Sequence, residues 1–309
     1  MQILSLGRPR TKVTKDHNDR KLCLFPNWTL GVGRWTLGVS HLMFPLNAND
    51  FPSSAAALQR LLNESLRLIF DVATDPVTVR DASFPKLAEM DISLDDARLR
   101  PDPPRPPSIS GETSPALEVG RLVLHATALS VGPAEIEFLL SARDVRLGQG
   151  KDSAGNIVLL VQKAEEGKIA IAVVSRDLEA LIAKIARAEA GKHGVTISDL
   201  KLTLRSKSPR SLAAEVGLRA QKLFLSASLR ITGQLDLDEQ LNARISDLRC
   251  EGDGGMATLA CGVLTPHLQK LDGREFPLMS LPLGEIQLRD VQLAVGDKLS
   301  VTAEFGAAS

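Results

Sequence analysis

The sequence contains no tyrosine and few other aromatic residues. Both tryptophans, Trp28 and Trp35, precede residue 43, and aromatic residues make up 4% of the chain. Proteins that bind nucleic acid by base stacking need aromatic platforms or clustered arginines, and neither occurs after residue 43. The 37 basic and 37 acidic side chains leave a formal net charge of zero. We therefore expect no nucleic-acid partner.

Cysteine and long apolar runs are scarce as well. The three cysteines, Cys23, Cys250 and Cys261, are irregularly spaced, and their odd number predicts reduced thiols. A disulfide between Cys250 and Cys261 is the alternative. No run approaches the roughly 20 apolar residues of a membrane span, and residues 1–20 lack the apolar core of a signal peptide. These absences predict a cytoplasmic protein, with peripheral contact to a membrane as the alternative.

The motifs of common enzyme classes are also missing. There is no G-x-S-x-G, H-E-x-x-H, C-x-x-C, P-loop or dinucleotide fingerprint. Asp236, Asp238 and Glu239 are close enough in sequence to bind a hard cation, but we interpret them as a solvated hairpin turn. His125 lies in an apolar strand, which favours an imidazole that is hydrogen-bonded within the protein or faces outward. We expect a protein without enzymatic activity, cofactor or metal.

Residues 1–42 differ in pattern from the rest of the chain. They carry seven Lys or Arg against two Asp, and the pentapeptide WTLGV occurs at 28–32 and again at 35–39. They have neither strand alternation nor a helical period. We predict that they are disordered or a mis-assigned leader, with Met43 as the true start. The alternative is a basic, tryptophan-bearing arm that contacts a membrane or a partner.

A short motif recurs through the remaining sequence. It reads Asp, an aliphatic or small residue, a polar residue, then Leu or Cys, and its copies begin at Asp96, Asp144, Asp199, Asp247 and Asp290. Before three copies, the apolar residues alternate with the opposite parity. A change of parity within a strand requires an extra residue, which is a β-bulge. The motif therefore predicts long, bent antiparallel strands with a short polar side chain at each bulge.

Helical periodicity is limited to a few segments. A stripe of leucines predicts a helix over about 54–72, and the apolar stretch 255–271 predicts a helix broken near Pro266. The spacing i, i+3, i+4, i+7 predicts a further helix over about 176–190, with the apolar residues Leu178, Leu181, Ile182 and Ile185.

Strand alternation covers most of the remaining chain. We predict an N-terminal helix and strands in residues 43–99 and a main β-rich domain in 117–309. The segment 100–116 between them contains six prolines. Proline cannot donate to a ladder and favours extended backbone, so this segment is predicted to be a loop.

Four short segments follow one another in the order seen in a known family. Residues 174–182 read as strand, Ser, acidic, Leu, Leu at a helix entry, and 194–197 begin the next strands. Residues 281–286 and 291–293 give a Leu-Pro, strand, turn, strand ending. In these motifs the chain resembles the LmeA-like family of bacterial phospholipid-binding proteins. Two features depart from that family, because no signal or anchor is visible and the Pro-rich segment has no counterpart.

The resemblance implies a tubular lipid-binding (TULIP-like) fold. Such a fold is α+β and β-dominated, with long curved antiparallel sheets wrapped around one or two amphipathic helices and an apolar groove between them. The bent strands and amphipathic helix predicted from the residues agree with this shape, because an apolar helix stripe needs an apolar partner.

We therefore predict non-enzymatic binding of a lipid or other acyl-chain ligand in that groove. The alternative is a structural or protein-partner-binding β-rich module whose groove is closed. Burial of apolar surface stabilises by about 25 cal/mol per Å² in either case, so the sequence leaves both open. The candidate groove-lining residues are Leu178, Leu181, Ile182, Ile185, Leu223, Leu225, Leu229, Ile231, Leu299, Val301 and Phe305.

The interpretation of residues 1–42 can be tested by truncation. A chain that starts at Met43 should keep the melting temperature and far-UV circular dichroism of the full chain, because the leader lacks any pattern that docks on a core. A large loss of stability on truncation would favour the basic-arm alternative.

Overall fold

A computed structural model describes residues 43–104, 109–192, 194–222, 225–238, 242–277 and 287–306. This part of the chain is β-dominated. The helices are α1 (Ala55–Ile69), α2 (Ser175–Gly191) and α3 (Gly255–Gln269). The strands are β1 (Met43–Pro45), β2 (Phe70–Asp71), β3 (Val77–Ser83), β4 (Lys86–Ser93), β5 (Arg98–Leu99), β6 (Ile109–Val131), β7 (Ala134–Asp152), β8 (Ile157–Lys163), β9 (Glu166–Val174), β10 (Thr196–Ser208), β11 (Ser211–Lys222), β12 (Leu225–Leu237), β13 (Asn242–Gly252), β14 (Glu275–Pro277), β15 (Gln287–Val295) and β16 (Lys298–Gly306).

The strands form two sheets. In the first sheet the order is β15-β16-β9-β7-β6-β4-β3, and β8 pairs with the second half of β7. The second sheet has the order β10-β11-β12-β13-β14 and is antiparallel throughout. The first sheet is mixed, because β4 and β5 both run parallel to β6. The prediction of a β-dominated fold is confirmed, whereas the prediction of antiparallel pairing holds only in part.

All five aspartates of the repeated motif have left-handed backbone. Their φ angles are +55° at Asp96, +48° at Asp144, +51° at Asp199, +56° at Asp247 and +47° at Asp290. Among residues other than glycine, Asp and Asn tolerate this conformation best, because a short polar side chain can hydrogen-bond locally. The motif therefore marks positions where a single left-handed residue interrupts the extended backbone.

Three of these aspartates begin a β-bulge, as the sequence predicted. Asp199 and its neighbour lie between the paired residues Ser198 and Lys201 in a shifted register of β10 with β11. The same shift occurs at Asp247 in β13 and at Asp290 in β15. The other two copies differ, because Asp96 lies in the turn between β4 and β5 and Asp144 lies where β7 exchanges β9 for β8 as its neighbour.

Other side chains bind the backbone N–H groups near two bulges. The N–H of Leu202 donates to Glu179 Oε2 at 2.7 Å, and the N–H of Leu248 donates to Asp272 Oδ1 at 3.0 Å. The sequence assigned this role to the motif aspartate itself. At these two positions the role is taken by carboxylates from α2 and from the turn after α3.

Side chains of α1 and α2 form hydrogen bonds with the backbone of edge strands, those of α1 with β3 and those of α2 with β10. In α1, Gln59 Oε1 accepts from the N–H of Val79 at 2.9 Å, and Asn63 Oδ1 accepts from the N–H of Val77 at 2.8 Å. In α2, Glu179 binds β10 as described, and Arg187 Nε donates to the carbonyl of Ile197 at 3.1 Å. Strands β3 and β10 are edge strands, so these side chains satisfy groups that no neighbouring strand can reach.

The main core lies under α1 and extends along the first sheet. Its fully buried members include Leu58 and Leu62 of α1, Met90 and Ile92 of β4, and Leu140 of β7. The helix predicted over 54–72 is confirmed as α1, and Ser54 Oγ caps it by accepting from the N–H of Ala57 at 3.2 Å. The helix predicted over 176–190 is confirmed as α2.

Two predictions about proline were wrong. Strand β6 already begins at Ile109, so the second half of the 100–116 segment is strand and not loop. Pro115 fits there because the ladder with β7 shifts register beside it, and proline is tolerated at such irregularities. The predicted break at Pro266 is also absent, because α3 continues through this residue to Gln269.

The left-handed aspartates can be tested at Asp247. Asp247→Val should destabilise the protein by about 1–2 kcal/mol, because a β-branched residue is strained in this conformation. Asp247→Asn should stay within about 0.5 kcal/mol of the parent, since Asn adopts it readily. Urea unfolding followed by circular dichroism measures both. Glu251→Val, at an exposed extended position of the same strand, is the control, and equal effects of valine at 247 and 251 would contradict the assignment.

Candidate functional site

One face of the second sheet is apolar along its whole length. Cross-strand pairing places residues of equal parity side by side, so Leu212 lies opposite Leu235, Val216 opposite Ile231, and Leu218 opposite Leu229. The opposite face carries the charged residues of the same strands. The apolar face is therefore the natural place to search for a lipid site.

The two ends of this apolar face are covered by different parts of the molecule. At one end Leu212, Leu237 and Ala243 are buried in the main core with the first sheet. At the other end Leu229 is buried in a small separate cluster with Ala257 and Cys261 of α3. Each end is thus closed by packing.

Between these ends lies a continuous row of half-buried residues. Leu202 of β10 lies opposite Val216, Val216 opposite Ile231, and Ile231 opposite Cys250 of β13. Four strands at about 4.8 Å spacing give the row a length of roughly 14 Å. Within the described residues, Leu202, Val216 and Ile231 belong to neither buried cluster. We name Leu202, Val216, Ile231 and Cys250 the central row.

Helix α2 borders the central row on the β10 side. Glu179 fixes it there by accepting from the N–H of Leu202, the first residue of the row. Of its apolar residues, Leu178, Leu181 and Ile182 are half-buried, and Ile185 is 43% exposed. The side of α2 towards the first sheet packs near the β6–β7 turn, since a Cβ on Gly132 would lie 3.9 Å from Leu181 Cδ1.

Helix α3 borders the row at its other end through a disulfide. Cys250, the last residue of the row, is bonded to Cys261 of α3, with 5.4 Å between the Cα atoms. The prediction of reduced thiols is therefore wrong for these two residues. Eleven positions separate them in sequence, and only the folding of α3 back onto β13 brings them within bonding distance. Disulfides persist mainly in oxidising compartments, and the cytoplasmic location stays a prediction.

The predicted groove residues lie in several places. Leu229 is 6% exposed beneath α3, Ile231 is in the central row, and Leu225 is 51% exposed at the start of β12. In β16, Leu299 and Val301 pack against the main core, and Phe305 is 1% exposed, with its ring over Gly167. Leu223 lies outside the described residues.

Sequence reasoning missed three residues of the row, Leu202, Val216 and Cys250. Their strands alternate like most others in the chain, so nothing local distinguished them. The signal that could have found Leu202 is its place in the motif that begins at Asp199, because the bulge returns it to the apolar face. Val216 becomes identifiable only through its pairing with β10 and β12.

The opposite face of the second sheet is polar and carries both signs of charge. Two adjoining shallow cavities of about 360 Å³ each lie on it and share Glu215 and Glu251 as lining residues. Arg230 Nε lies 3.3 Å from Glu215 Oε1, and Arg219 Nη1 lies 3.6 Å from Asp199 Oδ2. Both signs of charge are thus interspersed on this face, and at least these two arginines are paired with neighbouring carboxylates.

His125 lies on the first sheet between two carboxylates. Its Nδ1 is 3.4 Å from Asp95 Oδ2, and its Nε2 is 3.8 Å from Asp91 Oδ1. The hydroxyl of Thr127 donates to Asp95 Oδ1 at 2.8 Å, and this hydrogen bond is the main cause of a lowered pKa at Asp95. The cluster joins the β4–β5 turn to β6. His125 is one-third exposed, in agreement with the predicted outward-facing imidazole.

The carboxylates near the β12–β13 turn are engaged in hydrogen bonds. Asp238 Oδ1 accepts from the N–H of Asn242 at 2.7 Å, which supports the interpretation as a turn. Burial raises the pKa of Asp236, but hydrogen bonds from Ser211, Gln234 and Ser246 outweigh it, so the pKa is lowered overall. Glu239 lies outside the described residues. No group of three or more His, Cys, Asp or Glu within the described part of the chain is arranged to hold a metal ion.

Comparisons with known proteins add no relative. No protein-family model matches the chain, and no curated protein or solved structure is significantly similar to it. The resemblance to the LmeA-like family therefore stays a prediction. Each helix in the described residues is too short or too polar to span a membrane.

The disulfide can be tested by counting thiols. Under denaturing, non-reducing conditions Ellman's reagent should detect one thiol, that of Cys23, and all three after reduction. Replacing Cys250 and Cys261 together by serine should lower the free energy of unfolding by about 2–4 kcal/mol, because the crosslink restricts the unfolded chain. Cys23→Ser is the control and should not change stability. Three reactive thiols before reduction would contradict the bond.

Proposed function

We propose that this protein binds a lipid or other acyl-chain ligand without enzymatic turnover, along the central row of the second sheet. The observation that carries the proposal is the half-buried aliphatic row between two closed ends. Leu202, Val216 and Ile231 offer a path of side-chain carbons, and α2 borders this path on the β10 side.

The chemistry of the row favours an acyl chain over other ligands. Leucine, valine and isoleucine side chains carry no hydrogen-bonding groups, so they offer no partner to the polar groups of a ligand. Flat aromatic ligands usually gain from ring stacking, and the row contains no aromatic residue. Each methylene that leaves water for such a surface gains about 0.8 kcal/mol. A linear hydrocarbon chain laid across the four strands gains this at every carbon that touches the row.

The proposal includes the architecture implied by the family resemblance. In a TULIP-like arrangement, a curved sheet wraps an amphipathic helix, and the acyl chain lies between them. The placement of α2 beside β10, fixed by the hydrogen bonds of Glu179 and Arg187, supports such a site between helix and sheet.

The alternative is a structural or partner-binding module, and one observation favours it. Both ends of the apolar face are packed shut, and Leu229 and Phe305, two of the predicted groove residues, are buried among their neighbours. A protein whose row is also filled would show the same strands without binding any ligand. Ligand titration separates the two proposals directly.

We expect saturable binding of a fluorescent fatty acid at micromolar concentration. Among saturated fatty acids that compete with it, affinity should rise with chain length and depend weakly on salt, because methylene transfer dominates and screening acts on exposed charges. Displacement fluorescence measures both trends. A wild-type protein with no saturable binding of fatty acid or phospholipid at micromolar concentration would refute the proposal and favour the structural module.

A pair of neighbouring variants locates the site. Ile231→Glu places a carboxylate in the central row and should reduce affinity at least about tenfold, since an unpaired charge on an apolar surface costs several kcal/mol. Thr232→Glu, on the polar face of the same strand, should bind like the wild type. Circular dichroism and melting curves confirm that both variants fold. Equal binding by both would place the ligand elsewhere.

A further inference from the structure

The properties of α3 indicate that it is weakly stable as an isolated helix. It contains Gly255, Gly262 and an internal proline, Pro266, all of which disfavour helix. Its N-cap is Gly254, which supplies no side-chain hydrogen bond, and its first turn has no acidic residue. A helix with these features depends on tertiary contacts to stay formed.

The buried side chains of α3, among the described residues, are small ones. Ala257 is fully buried against β13, where a Cβ on Gly252 would lie 2.5 Å from the Cβ of Ala257. Cys261 is 7% exposed beside Leu229. Of the larger apolar residues of the helix, Leu264 packs half-buried against the same cluster, whereas Met256 is 39% and Leu259 is 66% exposed. Small contacts bury little apolar area, so packing alone holds α3 weakly.

The disulfide is therefore the strongest attachment between α3 and the sheet, and it lies at the candidate site. Cys250 is the last residue of the central row, directly opposite Ile231. The next row along the sheet contains Leu218 and Leu229, which lie under α3. Moving α3 aside would extend the apolar surface of the central row by this second row.

We propose that α3 is a redox-controlled cover of the acyl-chain site, which the Cys250–Cys261 disulfide holds closed. This inference rests on the proposed function and adds its regulation. A dithiol reductant opens the cover in two steps. One thiolate of the reductant attacks a sulfur of the pair, with Cys250 the more exposed of the two, and forms a mixed disulfide while the other cysteine leaves as a thiolate. The second thiolate of the reductant then displaces the protein sulfur. The reductant ends as a disulfide, and the two cysteine thiolates take up protons from water.

The experiment compares the oxidised full chain with the same protein in dithiothreitol. Hydrogen exchange should show loss of protection in residues 255–269 on reduction, with β6 and β7 unchanged. The affinity for a long fluorescent fatty acid should rise about tenfold, the effect of roughly two additional buried methylene groups. The double variant Cys250→Ser, Cys261→Ser should behave like the reduced protein without reductant. Cys23→Ser should respond to reduction like the wild type.

The outcomes separate this inference from the proposed function. Fatty-acid binding that is equal in both redox states, with α3 protection either kept or lost, would overturn the redox cover and leave the proposed function standing. Absence of binding in both states would refute the proposed function, and with it the regulation, even if α3 loses protection. Should the double variant fail to fold, the reduced wild type and its hydrogen exchange still decide between these outcomes.

Discussion

The architecture depends on placing single left-handed residues within otherwise extended strands. A regular extended strand pairs with the same two neighbours along its length, but some strands of this chain change their neighbours or their packing partners. At Asp144, β7 gives up β9 and takes β8. At Asp199 and Asp247, bulges interrupt β10 and β13 of the second sheet, whose apolar face is buried in the main core at one end and under α3 at the other.

The candidate site follows from that constraint. Bulges in β10 and β13 lie on either side of the central row, and near each bulge a backbone N–H needs a side-chain partner. Glu179 and Asp272 supply them, so the same carboxylates that satisfy the bulges also fix α2 and the turn after α3 around the row. The central row and the helices that border it are therefore parts of one hydrogen-bonded arrangement, although the row itself contains no polar side chain.

Features with a local cause were predictable from the sequence. The stripe of α1, the spacing of α2 and the parity changes at the aspartates each need only a few neighbouring residues, and the structure places them within a few positions of the prediction. Features that depend on distant pairing were not. The parallel pairing of β4 with β6, the disulfide, and the membership of Leu202 and Val216 in the central row are set by which strands become neighbours. The alternation of apolar and polar residues along a strand is the same whichever strands become its neighbours.

The side chains that seal β3 and β10 have a further consequence for the unfolding of this protein. Gln59 and Asn63 of α1 cover the β3 edge of the first sheet, and Glu179 and Arg187 of α2 cover the β10 edge of the second. If either helix detaches while its sheet persists, a row of unpaired strand groups becomes available to another molecule. Partly unfolded chains would then pair through their exposed strand edges. In the folded protein, α1 and α2 cover these edges and so prevent intermolecular aggregation.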